Sequence, residues 1–295
     1  MRIGYFADGQ WAHKSFEKII KNKNFKIVFV VLRYSSPDKI LKKMAEENNI
    51  PVYIYKNINS LEFQNIILKY QADLFVSMSF DQIFREKMIN FPKYKTINCH
   101  AGKLPFYRGR NVLNWVLIND EKEFGITVHY VDEGIDTGDI ILQKVFPISD
   151  EDNYQTLLDK SYKECANILY KAIELIYKNK VKSIRQKDID AVGMYCGKRQ
   201  KGDEIIDWNL SSREIFNFVR ALCCPGPKAI SWINGIKIYI NKVRIVQGAH
   251  CYKNIPGQII GITDNGFYVK TGDSMLEVLE YSYDGKIKIG DRLKR

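Results

Sequence analysis

Apolar residues follow two regimes along this chain. Through the first half, short continuous apolar runs alternate with stretches in which apolar positions recur every three or four residues. The runs Ile3–Phe6, Phe25–Leu32, Pro51–Tyr55, Leu74–Ser77 and Lys95–Cys99 read as strands buried on both faces, as a parallel sheet requires. Between them, Trp11–Lys21, Asp38–Asn48, Leu61–Tyr70 and Phe84–Ile89 read as helices. Pro37 lies near the start of the second, which sets Ile40, Leu41, Met44 and Ala45 on one face. This alternation predicts a doubly wound α/β sheet, whose ligands bind beyond the carboxyl ends of the strands.

Gly125–Val131 and Asp139–Val145 read as two more strands, joined by the glycine-flanked loop Asp132–Gly138. A long amphipathic helix is predicted over Glu151–Lys180, with Ser149 and Asp152 as a capping box. The pattern changes after Gly197–Asp203. A helix over Ser212–Leu222 precedes the strand-like segments Ala229–Ile233, Ile236–Val246, Gln258–Thr263, Phe267–Thr271 and Met275–Tyr281. Asn234-Gly235 and Asp264-Asn265-Gly266 supply turns. Short strands at this spacing predict a small antiparallel barrel, so the expected domains are 1–201 and 202–295.

Candidate chemistry gathers at Thr96-Ile97-Asn98-Cys99-His100. At the end of a strand, Asn98 and His100 project to one face while Cys99 points to the other. An amide donor beside an imidazole suits acyl transfer to an amine. The amide hydrogen-bonds a developing oxyanion, and the imidazole takes a proton from the attacking nitrogen. Asp136, in Gly134-Ile135-Asp136-Thr137-Gly138, is a carboxylate in a glycine-flanked turn with two readings: it orients the ring, or it mainly orders a bound water.

The segment from Asn98-Cys99-His100 through Leu104-Pro105-Phe106-Tyr107-Arg108-Gly109, with Gly125-Ile126-Thr127-Val128-His129 and Ile135-Asp136-Thr137-Gly138, resembles the N10-formyltetrahydrofolate-dependent formyltransferases. The resemblance implies a Rossmann-like α/β formyltransferase domain followed by a smaller OB-like β-barrel domain. It implies Asn98, His100 and Asp136 as catalytic residues and N10-formyltetrahydrofolate as co-substrate. It also carries Met78, Phe80, Asp136 and Gly138 to the folate side of the cleft, and Ser79, Tyr107, Arg108 and Asn111 to the acceptor side. Gly9 and Trp11 follow the first strand at the same sheet edge and join the acceptor side, with Trp11 stacking on ligand or packing in the core. Arg108 has two readings: it pairs a phosphate or folate carboxylate, or it braces its loop. His129 reads as a core histidine or as support behind the catalytic residues, and Trp208 and Trp232 as apolar packing.

The loop Arg108-Gly109-Arg110-Asn111-Val112-Leu113-Asn114-Trp115 looks more like the nucleotide-sugar N-formyltransferases of bacterial surface-polysaccharide synthesis (O-antigen, lipopolysaccharide) than like methionyl-tRNA formyltransferases. A dTDP-linked amino-dideoxy sugar is the expected acceptor, dTDP-4-amino-4,6-dideoxyglucose first. The alternatives are methionyl-tRNA, or an idle folate- or nucleotide-binding regulator. The net charge of +11 is spread along the chain rather than gathered into one patch, which disfavours a nucleic-acid partner. The six cysteines form no Cys-x-x-Cys pair, the four histidines are scattered, and Gly-x-Gly-x-x-Gly does not follow the first strand. The expectation is a cytoplasmic enzyme with reduced thiols, without metal, dinucleotide or membrane, and with dimerisation left open.

Overall fold

The computed structural model describes residues 1–294. In chain order its elements are β1 (Arg2–Ala7), α1 (Gly9–Ile20), β2 (Lys26–Leu32), α2 (Lys39–Glu47), β3 (Val52–Ile54), α3 (Leu61–Leu68), β4 (Leu74–Met78), α4 (Glu86–Ile89), β5 (Thr96–His100), β6 (Arg108–Gly109), α5 (Val112–Ile118), β7 (Glu123–Tyr130) and β8 (Ile140–Pro147). Then follow α6 (Tyr154–Tyr177), α7 (Gln186–Ile189), β9 (Tyr195–Cys196), α8 (Ser212–Leu222), β10 (Ala229–Ile233), β11 (Ile236–Ile245), β12 (Ile259–Thr263), β13 (Gly266–Lys270), β14 (Met275–Tyr283) and β15 (Leu293–Lys294).

These elements form two compact units, neither continuous in sequence. One holds residues 1–109, 124–146 and 159–196; the other holds 110–123, 147–158 and, of the described residues, 197–294.

The first unit is Rossmann-like. Its seven-stranded sheet runs β3-β2-β1-β4-β5-β7-β8. Strands β1 to β5 pair in parallel, and β7 runs antiparallel to β5. Hydrophobic burial holds it: Phe6, Phe29, Phe63, Phe75 and Phe84 are buried in one cluster, with Phe6 edge-on to Phe75 at 5.1 Å and to Phe84 at 5.0 Å. The helices begin where local chemistry satisfies their free amides. Asp38 accepts from Ile40 and Leu41 at the start of α2, and Ser60 accepts from Phe63 at the start of α3. The expected capping box on α6 is corrected. Asp152 Oδ2 binds Ser149 itself, through nitrogen and hydroxyl, and closes a turn ahead of the helix. Asn153 then accepts from the Thr156 amide, so α6 begins at Tyr154.

The second unit carries a six-stranded antiparallel sheet, ordered β12-β13-β14-β11-β10-β15, curved as a half-barrel against α8. A true capping box starts α8: Ser211 accepts from the Glu214 amide while Glu214 reaches back to Ser211. Buried Ile215, Val219 and Leu222 of α8 share a core with Ile233, Ile238, Phe267 and Val278. Trp208 is packing, as expected; it is buried there, its indole N–H donating to Ser231 Oγ at 3.1 Å. Helix α5 belongs to this unit, and the buried Asn114 side chain donates to the Ala221 carbonyl at 2.6 Å. Arg213 adds ion pairs to Asp120 and Asp150.

Candidate active site

Strand β5 lies between β4, with Ser77 opposite Asn98, and β7, with His129 opposite Asn98 and Thr127 opposite His100. Strand alternation sends Asn98 and His100 to one face. Cys99 goes to the other, its thiol 3.7 Å from the Cys165 carbonyl. At the start of β5, the buried Thr96 hydroxyl donates to Ile89 O, which fixes the strand to the preceding helix.

Asp136 meets this pair from the loop between β7 and β8, with φ of 55° in the left-handed region. Its Oδ2 accepts from the Gly109 amide at 2.9 Å and faces His100 Nδ1 at 3.6 Å. Its Oδ1 lies 3.4 Å from both Asn98 Nδ2 and His129 Nε2. Burial alone would raise this carboxyl. The His100 and His129 rings and the Gly109 amide outweigh burial and hold it well below the usual carboxylate range. Asp136 is therefore an anion set among two imidazoles and an amide.

Hydrogen bonding assigns the ring tautomers. His100 Nε2 lies 2.7 Å from the Tyr107 carbonyl, which only accepts, so Nε2 carries a hydrogen. In the neutral ring the lone pair is on Nδ1, facing Asp136. His129 Nδ1 likewise donates to the Tyr130 carbonyl at 2.7 Å, which leaves Nε2 to accept from Asn98 Nδ2 at 3.2 Å. Both amide hydrogens of Asn98 thus point at His129 and Asp136.

The surrounding loop is fitted closely to His100. A Cβ at Gly102 would lie 2.5 Å from His100 Nε2 and closer still to the Tyr107 carbonyl, so only glycine leaves the ring in place. Buried Thr127, opposite His100, donates to Gly102 O at 2.7 Å and accepts from Gln143 at 2.9 Å, which ties this loop to the sheet.

Arg108 makes the contacts that its bracing role would need. Its buried guanidinium binds Gln186 Oε1 at 2.9 and 2.8 Å and reaches the Val192 carbonyl at 3.2 Å. Tyr107 is buried too and meets the site through its carbonyl. Met78 is buried and offers backbone only, its carbonyl accepting from Asp8 N at 3.1 Å. Phe80 packs at 5.7 Å from Phe6 in the core cluster. Ser79 takes φ of 56°, its carbonyl and hydroxyl accepting from Arg33. The Gly9 amide donates to Asp38 Oδ2 at 2.7 Å, and Trp11 stands edge-on to Tyr162 at 4.7 Å. Gly9, Trp11, Ser79 and Phe80 follow the carboxyl ends of β1 and β4, the strands next in order to β5. The Gly138 carbonyl accepts from Gln186 at 2.8 Å. Asn111 belongs to the other compact unit, where its side chain accepts from Arg199 N at 3.0 Å.

Two parts of the site were not legible in the sequence. Gln186 sits in an ordinary polar stretch without a motif. Asp8, with Oδ2 buried and without a hydrogen-bond partner, has its carboxyl raised by burial against the pull of Arg33; a lone aspartate after a strand gives no signal of that. Among the described residues, no group of three His, Cys, Asp or Glu side chains could hold a metal ion, and no helix is long and apolar enough to cross a membrane.

Residues 1–173 match the formyl transferase family model, and residues 198–291 match the formyl transferase C-terminal domain. Methionyl-tRNA formyltransferase of Fusobacterium nucleatum is 34% identical, covering 99% of this chain and 100% of that protein. The bifunctional polymyxin resistance protein ArnA of Wigglesworthia glossinidia brevipalpis is also 34% identical, across 96% of this chain and 43% of its own length. Among solved structures, WlaRD, a sugar 3N-formyl transferase determined with dTDP and 5-N-formyl-THF, is 25% identical with a TM-score of 0.68, covering 97% of this chain and 99% of its own. A 4-N formyltransferase from Francisella tularensis, 25% identical over 81% of this chain and 96% of its own, has a TM-score of 0.67.

Proposed function

This chain belongs to the formyl transferase family, and we propose that it moves the formyl group of N10-formyltetrahydrofolate onto the amine of a nucleotide-linked amino-dideoxy sugar. The observation that carries the chemistry is the fixed His100 tautomer. With Nε2–H held by the Tyr107 carbonyl, the only basic position of the ring is Nδ1, and Asp136 stands beside it as an anion.

Formyltetrahydrofolate supplies an electrophilic formyl carbon. As the amine nitrogen bonds to that carbon, the C=O electron pair moves to oxygen and His100 Nδ1 takes the amine's proton. The imidazolium then lies 3.6 Å from the Asp136 carboxylate, a charge–charge contact too long for a hydrogen bond. The proton goes on to the departing folate nitrogen as its C–N bond breaks, and the formamide is left on the sugar. Asn98 donates to the developing oxyanion by exchanging its longer bond, the 3.4 Å contact with Asp136, while keeping the 3.2 Å bond to His129.

Two observations support a sugar as acceptor: the likeness to a dTDP-bound sugar N-formyltransferase over nearly the whole of both chains, and the dispersed positive charge. We place dTDP-4-amino-4,6-dideoxyglucose first. A second reading, methionyl-tRNA, is favoured by the full-length 34% identity to a methionyl-tRNA formyltransferase. The purified protein should be incubated with formyltetrahydrofolate and a panel of dTDP-, UDP- and GDP-linked 3-amino and 4-amino sugars, with methionyl-tRNA alongside. Mass gain of one formyl group on a nucleotide sugar is the expected result. Formylation of methionyl-tRNA alone would overturn the choice of acceptor and leave the chemistry standing.

A further inference from the structure

We infer that Gln186 is a positioning residue for Asp136, setting the direction of the carboxylate without touching substrate; this rests on the reading of His100 and Asp136 as the acid–base pair. Gln186 opens the short helix α7 and is buried. Its amide nitrogen donates to the carbonyls of Asp136 at 2.7 Å and Gly138 at 2.8 Å. Its amide oxygen accepts from Arg108 Nε at 2.9 Å and Nη2 at 2.8 Å. One side chain therefore joins the two loops that meet at His100. The Arg108 loop supplies the Tyr107 carbonyl to Nε2 and the Gly109 amide to Asp136, and the other loop supplies the carboxylate.

Asp136 needs such a grip. Its left-handed φ of 55° is uncommon for a residue with a Cβ, though aspartate tolerates it better than most, and the surroundings help to hold it. That backbone turn aims the carboxylate at His100, His129 and Asn98 together. Gln186 satisfies the Asp136 carbonyl that the turn exposes, and Gly109 satisfies the carboxylate; the residue is fixed at both ends. Arg108 in turn holds Gln186 with its oxygen toward the guanidinium and its N–H groups toward the loop, so an amide flip would break the bonds to two carbonyls and to two guanidinium N–H groups.

The test compares Gln186→Glu and Gln186→Met in the wild-type and Asp136→Asn backgrounds. Gln186→Glu keeps an acceptor for Arg108 and removes both N–H donors to the loop. We expect turnover to fall about 10²-fold, as for small misplacements of a reacting group, with KM for formyltetrahydrofolate changing less than about 3-fold. In the Asp136→Asn background the same substitution should cost almost nothing further, because its effect runs through the carboxylate. Amide hydrogen exchange supplies a reading without turnover: Gln186→Met should speed exchange in residues 132–139 while β5 stays protected. Full turnover by Gln186→Glu, equal losses in both backgrounds, or unchanged exchange in that loop would overturn the assignment. His100→Ala is the control. If it retains wild-type turnover, the acid–base reading has failed, an outcome distinct from failure of Gln186 alone.

Discussion

The Tyr107 carbonyl lies 2.7 Å from His100 Nε2 and decides which nitrogen of that ring is basic. Because a carbonyl only accepts, the hydrogen sits on Nε2 and the proton-accepting position turns toward Asp136. Replacing His100 by Ala should leave the fold intact, since the ring ends a strand that is already paired on both sides. Turnover should fall by about 10²–10⁴-fold, the usual share of a positioned acid–base group. Asn98→Ala should cost about 3 kcal/mol of transition-state stabilisation if its amide serves the oxyanion. Single-turnover rates with formyltetrahydrofolate measure both, and near-normal rates for His100→Ala would remove it from the mechanism.

Gly102 gives a steric test of the same ring. A methyl group there would press on His100 Nε2 and on the Tyr107 carbonyl together. Gly102→Ala should cost about 1–3 kcal/mol of stability through overpacking and lower kcat more than it raises KM. Urea unfolding and steady-state kinetics on one preparation would show it. Wild-type kcat in this variant would mean that the loop yields without disturbing the ring.

Acid should weaken the fold through Asp136. Its folded pKa lies below the unfolded value of about 3.9, so its stabilisation is fully present above that value and is lost as pH falls through the folded one. The stability difference between wild type and Asp136→Asn should therefore be largest at neutral pH and shrink below about pH 4. Denaturant titrations at pH 7, 4 and 3 would resolve it. A difference that grows toward low pH has the wrong sign for this account.

Truncation after Gly202 tests the interleaved units. All three expected catalytic residues precede residue 150, which suggests that the C-terminal part is dispensable. In the structure, however, α5 has its polar partner in α8. Removing residues 203–295 leaves buried Asn114 without the Ala221 carbonyl, and Asp120 and Asp150 without Arg213. With α8 gone Asn114 meets water instead, so that bond's net worth, about 1 kcal/mol, is lost. We expect a lower urea midpoint by circular dichroism, with turnover falling in step with folding. A truncated chain as stable as the full one would refute this.

Much of this was readable in the sequence because burial leaves a direct trace. Continuous apolar runs marked β1, β2, β4 and β5, and alternation in β5 put Asn98 and His100 on one face. Direction leaves no such trace: a buried run reads the same either way, so the antiparallel course of β7 emerged only from its pairing. Helix α5 was missed because Val112, Leu113, Asn114, Val116 and Leu117 are all buried, leaving no polar stripe to reveal a period. The support for Asp136 was illegible for another reason. Gln186 is far from it in sequence, and its bonds go to carbonyls, which every residue possesses.

The pairing of β5 also bears on how this gene can change. Asn98 stands opposite His129 and His100 opposite Thr127, while the alternating Ile97 and Cys99 face away into buried surroundings. Substitutions at 97 and 99 are a matter of volume, and similar apolar residues will serve. Loss or gain of a single codon between 96 and 100 is different in kind, because it exchanges the two faces at once and sends the imidazole and the amide into the hydrophobic layer. A change of length in these five codons is thus harder for the fold to absorb than a change of either apolar residue they encode.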